Sequence, residues 1–197
     1  ATHQQLAREL EMVASSRAMA GVLAVIDRLR ASTATVLVTG ESGVGKEVVA
    51  AALHRTSPVA KGPFIAINCG AISRDLIASE LFGHVRGAFT GASDARQGAF
   101  HSAHEGTLFL DEVDALSPRA QVSLLRFLED GKYRLLGGSR LESADVRILA
   151  ASNVSLQKLV DEDHFRADLH YRLNVMELAV PPLRVRGDDI ALLAHHF

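Results

Sequence analysis

The chain has 197 residues, 48% of them hydrophobic and 22% charged, enough to build one α/β domain around a sizeable core. Its formal net charge is −2 and no run of Lys or Arg occurs, which argues against this stretch as the part that grips nucleic acid. No apolar stretch approaches a membrane span, and the opening ATHQQLAREL lacks the basic region and apolar core of a signal peptide, so the expectation is a cytoplasmic protein with no membrane partner.

In chain order, residues 8–30 read as helical, with Leu10, Val13, Val22, Val25, Ile26 and Leu29 as a broken apolar stripe; Ser15, Ser16 and Gly21 predict an interruption. A β-branched run at 35–38 ends at Gly40, and a helix-forming stretch follows at 46–53. Three further runs read as buried strands: 64–67, 107–110 and 146–151. A helical pattern at 121–129 lies between the last two. Short apolar strands alternating with helices predict an α/β fold with a mostly parallel sheet covered on both faces. Residues 131–140, GKYRLLGGSR, read as a hairpin. Pro181 and Pro182 predict a hinge, because proline stops both helix and strand pairing. Asp188 to Leu193 then start a new helix that the chain end cuts short. The expected division is 1–180 for an α/β subdomain and 181–197 for a hinge and the start of a second, truncated one.

Single residues of reactive type carry less. Cys69 is the only cysteine, so it builds neither a disulfide framework nor a zinc site and reads as a buried or strand-end thiol. The pair His101 and His104 is followed by Glu105, which is not the HExxH order of a zinc site.

Two motifs carry chemistry. Gly40-Glu41-Ser42-Gly43-Val44-Gly45-Lys46 fits the GxxxxGK form of a P-loop, with a strand before it and a helix after. Its glycines let backbone N–H groups turn inward on phosphate oxygens, the helix adds its positive end, and Lys46 reaches the β- and γ-phosphates. Glu47 stands where Ser or Thr would touch Mg²⁺. The plainer alternative is a glycine-rich turn with a surface lysine. Downstream, an apolar run ends in Asp111 and Glu112, the form of a Walker B element. Asp111 would hold Mg²⁺ and Glu112 would orient or deprotonate the attacking water. Adjacent strand residues point opposite ways, so the two acids can take different jobs. By itself the pair could equally be a solvated turn.

A third stretch, VRGAFTGAS at 85–93, surrounds one Phe with small residues. From the residues alone, Phe89 reads as a side chain plugging the core from a glycine turn.

GESGVGKE, GAFTGA, GTLFLDE and FRADLHYRLNV, in that order and spacing, resemble the AAA+ domain of bacterial enhancer-binding proteins, the ATP-driven activators of RNA polymerase carrying sigma-54. The resemblance runs from about Met12 to the last residue. It implies a P-loop NTPase fold of three layers, α/β/α, with a helical lid continuing beyond Phe197. It implies ATP and Mg²⁺ as cofactors and self-association into a ring, a hexamer. The implied partner is the sigma-54 RNA polymerase holoenzyme, with DNA contacted only through a separate domain. The family P-loop commonly ends in KE, which matches Glu47. In the family the GAFTGA segment is the tip of a protruding loop, so the resemblance makes Phe89 and Thr90 the sigma-54 contacts, with Gly87, Ala88, Gly91 and Ala92 shaping the loop.

The same resemblance assigns Asn68 as the residue that holds Glu112 when the loop is disengaged, and Asn153 as the γ-phosphate sensor. It assigns Arg166 and Arg172 as arginine fingers supplied by the neighbouring subunit, and 131–140 as a second moving loop. Read singly, Asn68 is a turn former and each Arg an ordinary surface residue. The chain departs from the family at Val85-Arg86, at Val113-Asp114-Ala115, at Ser152 and at His170. Two other readings stay in view: an AAA+ remodeller of a different protein, and a nucleotide-binding switch without useful turnover.

Overall fold

The computed structural model describes residues 3–196. Five strands form the central sheet: β1 (Val36–Thr39), β2 (Phe64–Asn68), β3 (Gly106–Asp111), β6 (Val146–Ser152) and β7 (Met176–Ala179). Their order is β2-β3-β6-β1-β7, and every neighbouring pair is parallel. A separate antiparallel pair joins β4 (Lys132–Tyr133) to β5 (Glu142–Ser143), as the hairpin reading of 131–140 anticipates.

Successive strand residues point to opposite faces, so each strand feeds two cores. Leu108 and Leu110 of β3 join Ile148, Ala150 and Leu37 on one face. Phe109 between them joins Val36, Val38, Leu149 and Ala151 on the other. The first face is covered by α4 (Ile77–Phe82), α5 (Ala99–Ser102), α6 (Pro118–Asp130), α7 (Leu156–Asp161) and α8 (Ala167–Leu173). The second is covered by α1 (His3–Glu9), α2 (Arg17–Arg28) and α3 (Lys46–Arg55). The result is the expected three-layer α/β/α arrangement. It follows from apolar runs such as GTLFL, which has no polar face to leave in water.

Local signals set the element ends. Ser117 caps α6 by accepting from the Ala120 N–H, Pro118 occupies its first turn, and Gly131 ends it at φ 69°. One early reading needs correction. Gly21 does not interrupt a helix: it lies inside α2, on the exposed face, where a missing side chain costs only helix propensity. The break falls instead at 10–16, between α1 and α2, where Ser16 caps α2 through the Met19 N–H. Strand β7 carried no clear pattern because only Leu178 of its four residues is buried.

After β7 a single 3-10 turn (Leu183–Val185) leads into α9 (Gly187–His196). Among the described residues no helix is long and apolar enough to cross a membrane.

Candidate functional site

All the sheet's strands run the same way, so their C-terminal ends share one edge. Loops leaving that edge are where an open α/β sheet places its ligands. The register puts Asn68 opposite Asp111 and Thr39 opposite Ser152. The P-loop, Asn68, Asp111, Glu112 and Asn153 therefore converge on one rim, although they are scattered along the sequence from Gly40 to Asn153.

The P-loop glycines answer to backbone shape. Gly40, Gly43 and Gly45 have φ of 151°, 77° and 97°. A Cβ on Gly40 would also lie 2.8 Å from the Val180 carbonyl oxygen. Lys46 is buried, and its Nζ donates to the carbonyls of Gly40 and Glu41, each at 2.9 Å, so the ammonium curls into the loop. Glu47 and Ser42 are exposed. Arg184, from the turn before α9, makes a two-bond pair with the Glu41 carboxylate at 2.8 and 2.7 Å; those hydrogen bonds hold the Glu41 carboxyl below its ordinary range.

The two acids are placed differently. Asp111 ends β3, and its Oδ1 accepts the Glu112 N–H at 3.0 Å. Glu112 has left the strand with φ 52° and ψ 49°, a left-handed conformation that turns its side chain toward Gly70. A Cβ on Gly70 would sit 1.9 Å from Glu112 Oε2, so glycine is what lets the carboxylate lie there. Asn68 Oδ1 accepts from the N–H groups of Gly70 and Ala71, both at 2.9 Å. In this conformation Asn68 closes a turn beside Glu112, and no hydrogen bond joins the two side chains. Cys69, next in the chain, is buried as expected; burial and the nearby charges of Asp111, Asp114 and Glu112 push its thiol up to about 12.

Asn153 is exposed and lines a cleft of about 530 Å³ shared with Gly40, Glu41, His170 and Asn174. Before it, Ser152 donates to Asp114 Oδ1 at 2.7 Å, which ties this strand end to the turn after the two acids. His170 of α8 and Asn174, the residue that follows the helix, both line that cleft. Arg172 lies between them in sequence and thus on another side of the helix, exposed. Arg166 is exposed at the start of α8 and pairs with Asp168 through two bonds, 3.0 and 2.7 Å. The structure does not bring either arginine to this chain's own P-loop.

The loop at 85–93 is a closed turn. Gly87 N–H donates to the Ala92 carbonyl at 2.8 Å, and Ala92 N–H to the Phe89 carbonyl at 3.0 Å. Gly87 and Gly91 have φ of 78° and 101° with open space around them, so backbone conformation alone demands glycine. Phe89 does not plug the core: it is 36% exposed, and its ring meets the buried His84 ring edge-on at 5.1 Å. Thr90 is exposed, Ala88 half-buried and Ala92 buried. His84 is held in turn by Ser79 at 2.8 Å.

A second cleft beside the P-loop, about 550 Å³, is mostly apolar. Met12, Val13 and Met19 form one wall, Gly43 to Gly45 with Val48 another, and Ile190 and Leu193 of α9 a third. Among the described residues no cluster of three or more His, Cys, Asp or Glu could hold a metal, so any cation here would rest on few carboxylates.

The profile of the Sigma-54 interaction domain matches residues 12–179. The chain belongs to that family. The Nif-specific regulatory protein of Herbaspirillum seropedicae is 48% identical over 201 residues, covering 98% of this chain and 37% of that protein. The DNA-binding transcriptional regulator NtrC of Salmonella typhimurium is 52% identical over 187 residues, covering 95% of this chain and 40% of its own length. The chain thus spans about two-fifths of the curated relatives it matches. Among solved structures, NtrX of Brucella abortus in complex with ATP superposes with a TM-score of 0.87 at 34% identity, over 98% of this chain and 42% of that one. The P-loop NTPase domain of a sigma-54 activator from E. coli, at 23% identity and a TM-score of 0.54 over 80% of this chain and 90% of that one, shows likeness of fold. The fold is that of a P-loop NTPase of the AAA+ type.

In this member of the sigma-54 interaction family, the residues that sequence reasoning missed are those joined only by folding. Asp189 is fully buried and accepts from the N–H groups of Ser15 and Ser16 at 2.6 and 2.8 Å, from the Ser16 hydroxyl at 2.8 Å and from Arg186 at 2.9 Å. Burial works to raise the Asp189 carboxyl, but these donors outweigh it and hold it below the ordinary range. Arg186 also reaches the Val44 carbonyl at 3.2 Å, so α9, the 10–16 segment and the P-loop meet at one ion pair. An Arg and an Asp three apart are too common for sequence to mark them.

Proposed function

We propose that this domain hydrolyses ATP and uses the 85–93 loop to remodel sigma-54 RNA polymerase so that transcription can start. The observation that carries the reading is the shared rim: P-loop, Asp111, Glu112 and Asn153 at one sheet edge, in a chain of the sigma-54 interaction family. NtrX, a structural relative, was solved in complexes with ATP and with ADP, which supports the same nucleotide here.

In this reading the P-loop N–H groups and Lys46 take the phosphates, and the apolar cleft against Met12, Val13 and Ile190 takes the base. Asp111 fits the role of Mg²⁺ holder, since one carboxylate plus phosphate oxygens is the usual Mg²⁺ arrangement. Bound Mg²⁺ would supply neutralisation of phosphate charge. Glu112 prepares the attacking water, once its carboxylate leaves Gly70 for the rim. Asn68 governs that departure, and Asn153 senses the γ-phosphate. Arg166 and Arg172 are exposed and line neither cleft beside the P-loop, which supports their serving a neighbour's site in a ring, a hexamer by family likeness. Phe89 and Thr90, at the exposed tip shaped by Gly87, Ala88, Gly91 and Ala92, make the partner contact. Residues 1–180 act as the ATPase subdomain, and 181–197 as the hinge and start of a helical lid.

The test uses the full-length protein with ADP–aluminium fluoride, sigma-54 and a sizing column. Co-elution that Phe89→Ala abolishes, with ATP hydrolysis retained, is the expected result. A ring that hydrolyses ATP while sigma-54 stays free would support instead a remodeller of another protein.

A further inference from the structure

Helix α6 carries Arg119, Val122, Ser123 and Arg126 at spacings of three, four and seven, which places them on one face. That face is one wall of a cleft of about 370 Å³ whose other wall is 134–138, Arg134 included. Arg119, Arg126 and Arg134 are exposed, and among the described residues none has an ion pair or side-chain hydrogen bond. Of the acids nearest in sequence, Glu129 lies three residues from Arg126 on α6 without forming an ion pair with it, Asp130 accepts the Lys132 N–H, and Glu142 pairs with Arg140. Three unpaired guanidinium groups around one concavity are a recognition surface for carboxylate or phosphate.

The cleft is continuous with the 85–93 loop. Val85 N–H donates to the Leu136 carbonyl at 3.0 Å, and Leu136 N–H donates to Gly83 at 2.9 Å. A Cβ on Gly137 would lie 2.9 Å from Ala88 Cβ, and one on Gly138 would lie 3.3 Å from Val85 Cγ1. The loop cannot move far without moving this wall.

We propose that the cleft docks an acidic segment of the same protein partner that the loop engages. The inference rests on the reading of that loop given above. Charge complementarity selects the occupant. A nucleic acid would need a basic stripe to follow its backbone, and this domain has a net charge of −2 and a pI of about 6.5. Val122, Leu135 and Leu136 in the walls suit the methylenes of Glu side chains on an extended peptide. The docked acid would anchor the partner while Phe89 provides the apolar contact.

The experiment compares full-length wild type with the triple variant Arg119→Gln, Arg126→Gln, Arg134→Gln, and with Arg134→Glu alone as a loop variant that spares α6. Two probes are titrated by fluorescence anisotropy: sigma-54 with ADP–aluminium fluoride, and a labelled decaglutamate peptide. The expected result is roughly tenfold or greater weakening of both by the triple variant, a flatter salt dependence, and unchanged basal ATP hydrolysis. Replacing the three arginines by lysine should restore most of the affinity. Unchanged affinity for both probes overturns the proposal, as does an oligo-dT probe that binds through the same arginines more tightly than the peptide. If wild type fails to bind sigma-54, the partner reading falls, and the arginine dependence of the peptide alone decides whether the cleft takes acidic chains.

Discussion

At the scale of single residues, environment sets reactivity. Cys69 follows β2 and is buried beneath the acids, with its thiol pushed up to about 12. A thiol held protonated is a poor nucleophile. Native protein at pH 8 should resist iodoacetamide and label rapidly in urea; equal rates in both would show that the strand end opens. His54 is the opposite case. Burial, then the charges of Arg147 and Arg55, lower its pKa from the ordinary 6.5, while its Nδ1 meets the Thr107 hydroxyl at 2.8 Å. A depressed pKa means that the unfolded chain takes up the proton first as pH falls. The stability contributed by neutral His54 is therefore complete above the ordinary histidine range and is lost as pH drops through it. Urea midpoints measured from pH 8 to pH 5 should fall, and His54→Gln should flatten that fall. A variant with the same slope would assign the pH dependence elsewhere.

At the scale of elements, one ion pair joins three segments. Asp189→Ala leaves Arg186 buried without its acid and frees the Ser15 and Ser16 N–H groups, so the loss should be about 3–5 kcal/mol. Thermal unfolding measures this, and hydrogen exchange should locate the loosening in α2 and α9 rather than in β3. Because the Asp189 carboxyl is held low, its contribution is present above the ordinary aspartate range near 3.8 and disappears as pH falls below it. The strands differ in how plainly they announced themselves. β3 and β6 lie in the sheet interior, and nearly all their residues are buried, so the apolar stretches 108–110 and 148–151 marked them. β7 is an edge strand with one buried residue, and its pairing with β1 decides its structure.

At the scale of the whole molecule, the proposed ring has a direct consequence. Glu112→Gln should bind nucleotide normally while slowing hydrolysis by roughly 10²–10⁴-fold, the usual worth of a general base. Arg172→Ala should also be slow if the finger is supplied by a neighbour. Mixing the two inactive proteins should then recover activity, since an interface pairing one intact Glu112 with one intact Arg172 exists only in mixed rings. A steady-state phosphate-release assay checks this, and no recovery would place both residues in one subunit's site. The exposure of Arg172 on α8, outside the cleft that His170 lines, is the basis of the expectation.

The sequence by itself determined what is local or periodic. The P-loop glycines need positive φ within seven consecutive residues, so spacing alone displays them. The apolar run that leads into Asp111 and Glu112 is contiguous, and the apolar alternation of strands and helices implies a parallel sheet. Tertiary structure alone decided the rest, because those contacts join residues distant in the chain. Ser16 and Asp189 meet across 173 positions. Glu112 lies over Gly70 because β2 and β3 are neighbours in register. The unpaired arginines of α6 acquired a facing wall only when 134–138 folded back against the 85–93 loop. A contact between distant segments leaves no spacing to read, since its geometry is set by packing and by register, not by adjacency.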